Sequence, residues 1–191
     1  AAEAEGIHAF SSREELLADE RIDLVTVATP NDVHKEIAIA AMAAGKNVIS
    51  EKPVALSQEE LEEMIAAPKK YGKLFTVHQN RRWDPDFKCV QKILADNELG
   101  KVFRIESRVQ GWRGIPGDWR NQKAHGGGMV LDWGIHLLDQ ALRIGEGRKL
   151  ISVYAELTNV TNEECDDGFR VTLIFEGDLS MYVEVTTSNF I

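Results

Sequence analysis

Three side chains in this sequence are of the types that move protons, and their settings are not random. Lys52 lies in Glu51-Lys52-Pro53, directly after the apolar run Asn47-Val48-Ile49-Ser50. That places it at the carboxyl end of a predicted strand, where open α/β sheets bind ligands. Pro53 has a fixed φ and disfavours helical backbone in the residue before it, so Lys52 is held extended and its reach is limited. The other two are Asp132 and His136, in Gly126-Gly127-Gly128-Met129-Val130-Leu131-Asp132-Trp133-Gly134-Ile135-His136. A spacing of four sets them on one face of a helix. The glycines permit close backbone approach and lead into a helix N-terminus with N–H groups that the helix itself does not satisfy. A lysine, a carboxylate and an imidazole in one cleft suit proton transfer on a small polar molecule, with Asp132 orienting the imidazole or binding a substrate hydroxyl. The competing readings are an ordinary surface lysine and an Asp–His pair that satisfies itself. The strand end and the glycine run weigh against both.

The elements around these residues follow two patterns. Up to about residue 80, strand and helix alternate. Ser12-Arg13-Glu14-Glu15 is a capping box for a short helix to Asp19. Asp23–Ala28 reads as a buried strand, and Thr29-Pro30-Asn31-Asp32 opens a helix to Ala44 that stops at Gly45. Asn47–Ser50 is the second strand. A second capping box at Ser57-Gln58-Glu59-Glu60 begins a helix toward Tyr71-Gly72, which Pro68 is expected to end or kink. Leu74–Val77 is the third strand. This rhythm predicts a parallel sheet with helices on its faces.

Beyond it, Phe87–Ala95 is helical and Lys101–Gln110 alternates as a strand, with Phe103, Ile105 and Val109 opposite Arg104, Glu106 and Arg108. The stretch from Gly111 to Gly128 reads as a long loop, and Met129–Ile144 as a helix stopped by Gly145. Ile151–Asn159, Phe169–Phe175 and Leu179–Thr187 are three antiparallel strands, the last two joined by a two-residue turn at Gly177-Asp178. The expected fold is therefore α/β plus α+β: a parallel sheet over residues 1–80 with no Gly-rich phosphate turn, then residues 81–191 with a mostly antiparallel sheet.

Composition narrows the function. The 191 residues carry 43% hydrophobic and 28% charged residues, as in ordinary globular chains. A net charge of -9 disfavours nucleic acid as the main partner. No apolar run is long enough for a membrane span, and a cytoplasmic setting is the expectation. The two cysteines, Cys89 and Cys165, make no disulfide framework. Cys165 lies among Glu163, Glu164, Asp166 and Asp167, whose charges oppose thiolate formation, so it is not read as a nucleophile.

Other candidates cluster at predicted strand ends. Thr29, Pro30, Asn31 and His34 follow the first strand, where a cap can also hold a ligand's sugar or phosphate. Asn80, Arg81 and Arg82 follow the third; arginines there either pair with carboxylates or bind a phosphate or polyol. Trp119 and Arg120, in the glycine-rich loop, suit a sugar site.

On the T-P-x-x-x-H segment (Thr29, Pro30, His34), the E-K-P motif (Glu51–Pro53) and G-G-G-x-x-x-D-x-G-x-H (Gly126–His136), the chain resembles the Gfo/Idh/MocA oxidoreductases over nearly its whole length. Asn80-Arg81-Arg82-Trp83-Asp84 resembles a subgroup that includes NADP-dependent scyllo-inositol dehydrogenases. The resemblance implies a partial Rossmann domain over residues 1–80 that lacks its N-terminal Gly-rich unit, then a substrate and oligomerisation domain over 81–191 with an open, mostly antiparallel sheet that is incomplete at its end, with NAD or NADP as cofactor and a sugar or cyclitol as substrate. It implies proton transfer by Lys52 and His136 with Asp132 in support. Cofactor contacts fall to Thr29, Pro30, Asn31, His34, Glu51, Lys52, Asn80 and Arg81; substrate contacts fall to Arg82, Trp119, Arg120, Asp132 and His136. No metal is implied. It further implies a chain shortened at both ends, with on the order of 60 residues of a Rossmann unit before Ala1. The competing function is a ligand-sensing or partner-binding module of the same architecture. A homo-oligomer through the second-half sheet is expected, because strands 151–159 and 179–187 carry apolar residues on both alternations in places.

Overall fold

The computed structural model describes residues 5–189, which divide between His78 and Gln79 into two compact units. In the first, β1 (Leu24–Val27), β2 (Asn47–Ser50) and β3 (Phe75–Val77) form a parallel sheet in the order β1-β2-β3. Helices α2 (His34–Ala43) and α3 (Gln58–Tyr71) make the crossovers, and a short α1 (Arg13–Ala18) precedes β1. The two crossover helices pack on each other and on the sheet. Ala38 and Ala41, fully buried, let α2 come close to Val27 and Val48, and Met42, Met64 and Ala67 fill the rest of that core.

Local rules explain most boundaries here. Ser12 Oγ accepts from the Glu15 amide (3.1 Å) and Ser57 Oγ from the Glu60 amide (3.2 Å). The returning carboxylates reach one residue further out than the standard box, to the Ser11 and Leu56 amides (2.8 and 3.1 Å). Two expectations are corrected. β1 is not buried throughout, since Leu24 is 50% exposed. Pro68 does not end its helix: α3 runs through it to Tyr71 and stops at Gly72, in the left-handed region at φ 65°. A proline three residues from the last helical position removes only one backbone donor, and the Pro68 carbonyl still accepts from Lys73 (3.1 Å).

The second unit holds α4 (Pro85–Ala95), β4 (Arg104–Gln110), α5 (Ile135–Ile144), β5 (Leu150–Thr158), β6 (Gly168–Phe175) and β7 (Leu179–Thr186). Its sheet runs β4-β7-β6-β5. β5, β6 and β7 are antiparallel, as expected, while β4 pairs parallel to β7 and makes the sheet mixed. One face is the core: Phe169, Val171, Leu173 and Phe175 alternate along β6, Met181, Val183 and Val185 along β7, and Met129, Leu137 and Ala141 cover them. The other face is a charge lattice in which Glu106 binds Arg104 (2.7 Å) and Arg108 (2.6 Å), and Glu184 binds Arg170 (2.8 Å). The β6–β7 connection spans three residues rather than two, Glu176 to Asp178, with Gly177 and Asp178 both at positive φ. The long loop contains two single 3₁₀ turns, Trp119–Asn121 and Lys123–His125. Along β5 the apolar residues are not covered by α5: Ile151, Val153 and Leu157 are all more than half exposed.

Asp167, at the entry to β6, ties the second unit's loops together. Its buried carboxylate accepts from the Thr161 amide, the Thr161 hydroxyl (2.9 Å) and the Thr158 hydroxyl (3.3 Å). Its carbonyl accepts from the Thr187 hydroxyl (2.7 Å). Burial pushes this carboxyl up, but the bonds from the Thr161 and Val160 amides and the two hydroxyls outweigh it, and the net displacement is downward. A carboxyl displaced downward stabilises the fold above its ordinary titration near pH 4, and that contribution is lost as the pH falls below it. Asp167→Ala should therefore cost about 3 kcal/mol at neutral pH. Urea unfolding at pH 7 and at pH 3 should show the gap between wild type and variant narrowing in acid.

Candidate functional site

The first unit aligns its strand ends. Val27 pairs with Ser50 and Ser50 with Val77, so the three parallel strands finish in register. The segments that follow, Thr29–Asn31, Glu51–Pro53 and His78, therefore leave the same edge of the sheet side by side. This is the edge at which parallel sheets bind ligands. Backbone bonds hold the exits together: the Glu51 amide donates to Val27 and the His78 amide to Ser50 (2.9 and 2.8 Å).

His34 is a staple at this edge. It is fully buried, with Nδ1 at 2.8 Å from the Pro53 carbonyl and Nε2 at 2.9 Å from the Thr29 carbonyl. Both ring nitrogens lie against backbone carbonyls, so the ring bridges the Thr29-Pro30 segment and the residue after Lys52. Asn31 is buried beside it, at the head of a 3₁₀ turn, while Thr29 is exposed and Pro30 partly so.

Lys52 is half-buried, and its amide donates to Glu51 Oε2 (3.3 Å). Glu51 Oε1 lies 2.6 Å from His78 Nδ1. Burial pushes the Glu51 carboxyl up; the hydrogen bond with His78, the Lys52 amide and the electrostatic influence of His78 and Lys52 together outweigh it, leaving the carboxyl below its usual range. His78 is absent from the sequence-based set. Its signal is positional, since it follows β3 as Glu51 follows β2.

The second unit gathers a different set. Arg120 Nε lies 3.6 Å from Asp132 Oδ1, its NH1 is 2.7 Å from Asp118, and its guanidinium stacks 4.5 Å from the Trp119 ring. Trp119, Arg120 and Asp132 thus form one cluster. His136 is buried, its ring edge-on to Trp133 at 6.3 Å. The remaining candidates are fastened to α5. Arg82 binds Asp139 in bidentate fashion (2.8 and 2.5 Å), and Arg81 stacks 4.2 Å over Trp133 and binds Asp84 (3.0 Å). The carbonyl of Arg81 accepts from Gln140 (2.8 Å). Asn80 is exposed in the 3₁₀ turn Asn80–Trp83. These three residues belong to the second unit.

Two details of the Gly126–His136 segment differ from expectation. The helix opens as a π turn over Val130–Gly134, where the Ile135 amide reaches back to the Val130 carbonyl, and becomes α-helical only at Ile135. Asp132 is in the wider turn and His136 in the regular helix, so their offset is not that of one α face. Such insertions are frequent at functional sites. The glycines, moreover, approach the protein itself. A Cβ on Gly127 would lie 2.3 Å from the Arg120 carbonyl, and one on Gly128, at φ 106°, would lie 2.2 Å from Asp166 Oδ1. The donors at the helix start are taken by Asp166, whose carbonyl accepts from Met129 (2.9 Å) and whose Oδ2 accepts from Val130 (2.8 Å). Asp166 escaped sequence reading because a cap 36 residues away carries no local signature.

Cys165 is buried, and its thiol is pushed up first by burial and then by the charges of Asp166 and Glu164. Among the described residues no cluster of three or more His, Cys, Asp or Glu is placed to hold a metal, and no helix is long and apolar enough to cross a membrane.

Residues 1–79 match a model of an oxidoreductase family with an NAD-binding Rossmann fold, and residues 87–190 match the Gfo/Idh/MocA C-terminal domain. The chain belongs to the Gfo/Idh/MocA family. The solved NAD-binding protein from Listeria innocua superposes on all of this chain and 56% of its own, with a TM-score of 0.96 and 49% identity. GenD2 from gentamicin A biosynthesis, solved in complex with NAD, covers 100% of this chain and 55% of its own at a TM-score of 0.89 and 27% identity. The Bacillus subtilis scyllo-inositol 2-dehydrogenase (NADP(+)) IolW is 32% identical over 90% of this chain and 47% of its own length. This Gfo/Idh/MocA chain spans about half the length of the relatives it matches.

The aligned strand ends bring several polar groups to one edge of the sheet. Thr29, Asn31 and Glu51–Lys52 supply polar groups at one edge, and His34 fixes their backbone. Replacing His34 by Ala removes both tethers and leaves a cavity in a buried site. It should lower unfolding stability by about 3 kcal/mol, measured by urea denaturation of this chain.

Proposed function

We propose that the protein to which this chain belongs is an NAD(P)-dependent oxidoreductase acting on a hydroxyl or keto carbon of a sugar or cyclitol. The observation that carries the reading is the in-register ending of β1, β2 and β3, which sets Lys52 beside Thr29, Asn31 and Glu51. Named relatives point to the same substrate class: a scyllo-inositol 2-dehydrogenase, and a D-glucoside 3-dehydrogenase of Escherichia coli that is 33% identical over 64% of this chain and 35% of its own length.

In this reading Thr29, Pro30, Asn31 and Glu51 hold the nicotinamide end of the cofactor, which supplies the hydride donor or acceptor. Lys52 and His136 serve the substrate. In the oxidative direction one of them takes the hydroxyl proton from the carbon that loses hydride; in the reductive direction it returns that proton. Asp132, with Arg120 and Trp119 beside it, binds the neighbouring hydroxyls and orients the ring, because an aromatic face suits sugar C–H groups and a carboxylate accepts from O–H donors.

The same reading includes a homo-oligomer through the second sheet. Its support is the exposed apolar surface of β5 and the two-signed charge lattice beside it.

The test is steady-state kinetics of the full-length protein with NAD(H), NADP(H) and a panel of cyclitols and hexoses. Lys52→Ala and His136→Ala should each lower kcat by roughly 10²–10⁴-fold, the range for a general acid–base group. Unchanged turnover in both variants would assign these residues to structure.

A further inference from the structure

We infer that Asp166 is a positioning residue for the helix that presents Asp132 and His136, acting as that helix's N-terminal cap from across the fold. This rests on the functional reading above only for its effect on turnover; the anchoring itself stands on geometry.

Three contacts converge on Asp166. Its carbonyl oxygen accepts the Met129 amide at 2.9 Å, and its carboxylate Oδ2 accepts the Val130 amide at 2.8 Å. Its Oδ1 abuts Gly128 so closely that a Cβ there would sit 2.2 Å away. The helix has no cap of its own, because Met129 makes no side-chain capping bond. A carboxylate at this end also faces the positive pole of the helix dipole, where anions are favoured. Burial pushes the carboxyl up, the Val130 and Met129 amides pull it down, and the neighbouring Asp167 adds to the upward push.

The consequence is positional. The turn that begins at Val130 is a π turn, and Asp132 lies within it. A π turn is strained relative to α-helix and persists only when its surroundings hold it. Asp166 pins the Met129 and Val130 amides at its start, the Asp132 amide returns to the Gly128 carbonyl (3.0 Å), and Gly134 is packed so tightly that a Cβ would meet the Phe169 ring at 2.9 Å. Phe169 and Asp166 both flank the entry to β6, so the start of one strand sets both ends of the π turn. Releasing Asp166 should let the turn relax and shift Asp132 relative to His136, without touching a ligand directly.

Hydrogen exchange read by mass spectrometry on this chain tests the anchoring. In Asp166→Ala, amides 129–134 should exchange at least 10-fold faster, while amides 138–144 of α5 keep wild-type rates. Asp166→Asn retains an acceptor oxygen and should restore protection to within a few-fold. Unchanged exchange at 129–134 in Asp166→Ala would overturn the inference. If that variant does not fold, a scalar coupling across the Val130 N–H and Asp166 carboxylate bond in the wild-type chain decides it, and its absence overturns the cap. In the full-length protein Asp166→Ala should lower kcat at least 10-fold with little change in the KM for the dinucleotide, and Asp166→Asn should recover most of it. Faster exchange with an unaltered kcat would overturn the link to turnover. A full-length protein with no dehydrogenase activity would instead count against the functional reading and leave the exchange result to decide the cap.

Discussion

The hydrogen bonds that Asp166 accepts at the head of the α5 segment are the constraint on which the second unit's chemistry depends. A helix that begins after a glycine run has four donors without partners and a backbone free to take many conformations. Here the following strand supplies the missing order. Asp166, Asp167 and Gly168 enter β6 together: the first seats the helix and the second gathers the Thr158–Thr161 loop and Thr187. The third passes so close to β7 that a Cβ would meet the Val185 carbonyl at 2.9 Å. With the helix start held, Asp132 is fixed near Arg120 and Trp119, and His136 lies buried against Trp133.

The first unit reaches order by a different route. Its candidate groups sit on loops, which alone would be poorly positioned. Strands that end in register deliver the loops side by side, and a buried imidazole ties two of them through their carbonyls. Lys52 thus gains a fixed backbone from His34 through Pro53 and a charged neighbour in Glu51. In both units, then, a polar residue that touches no substrate in the proposed scheme, His34 buried and Asp166 partly so, orders the residues that do.

Much of this was legible in the sequence where the signal is local. Capping boxes at Ser12 and Ser57, the alternation of β6 and β7, the crossover rhythm before residue 79 and the family motifs around Lys52 and His136 all depend on near neighbours. The failures share a cause, which is contact at long sequence separation. The parallel pairing of β4 with β7 joins strands some 70 residues apart, and nothing in the pattern of either announces it. The π turn depends on Asp166 and Phe169, and the role of the glycines depends on Arg120 and Asp166. The two carbonyl partners of His34, on Thr29 and Pro53, likewise leave no mark in the sequence around it. Pro68 breaks a rule that holds in helix interiors, because the turn after it is the last one and Gly72 closes it. Arg81 and Arg82 follow β3 in sequence, and their contacts with Trp133 and Asp139, far along the chain, carry no local signal.

The central claim is that Asp166 holds the π turn that carries Asp132. The most direct measurement is a crystal structure of the Asp166→Ala variant. The account predicts that the Ile135 amide no longer reaches back to the Val130 carbonyl and that Asp132 moves away from Arg120. An unchanged π turn, with Asp132 still beside Arg120, would contradict it.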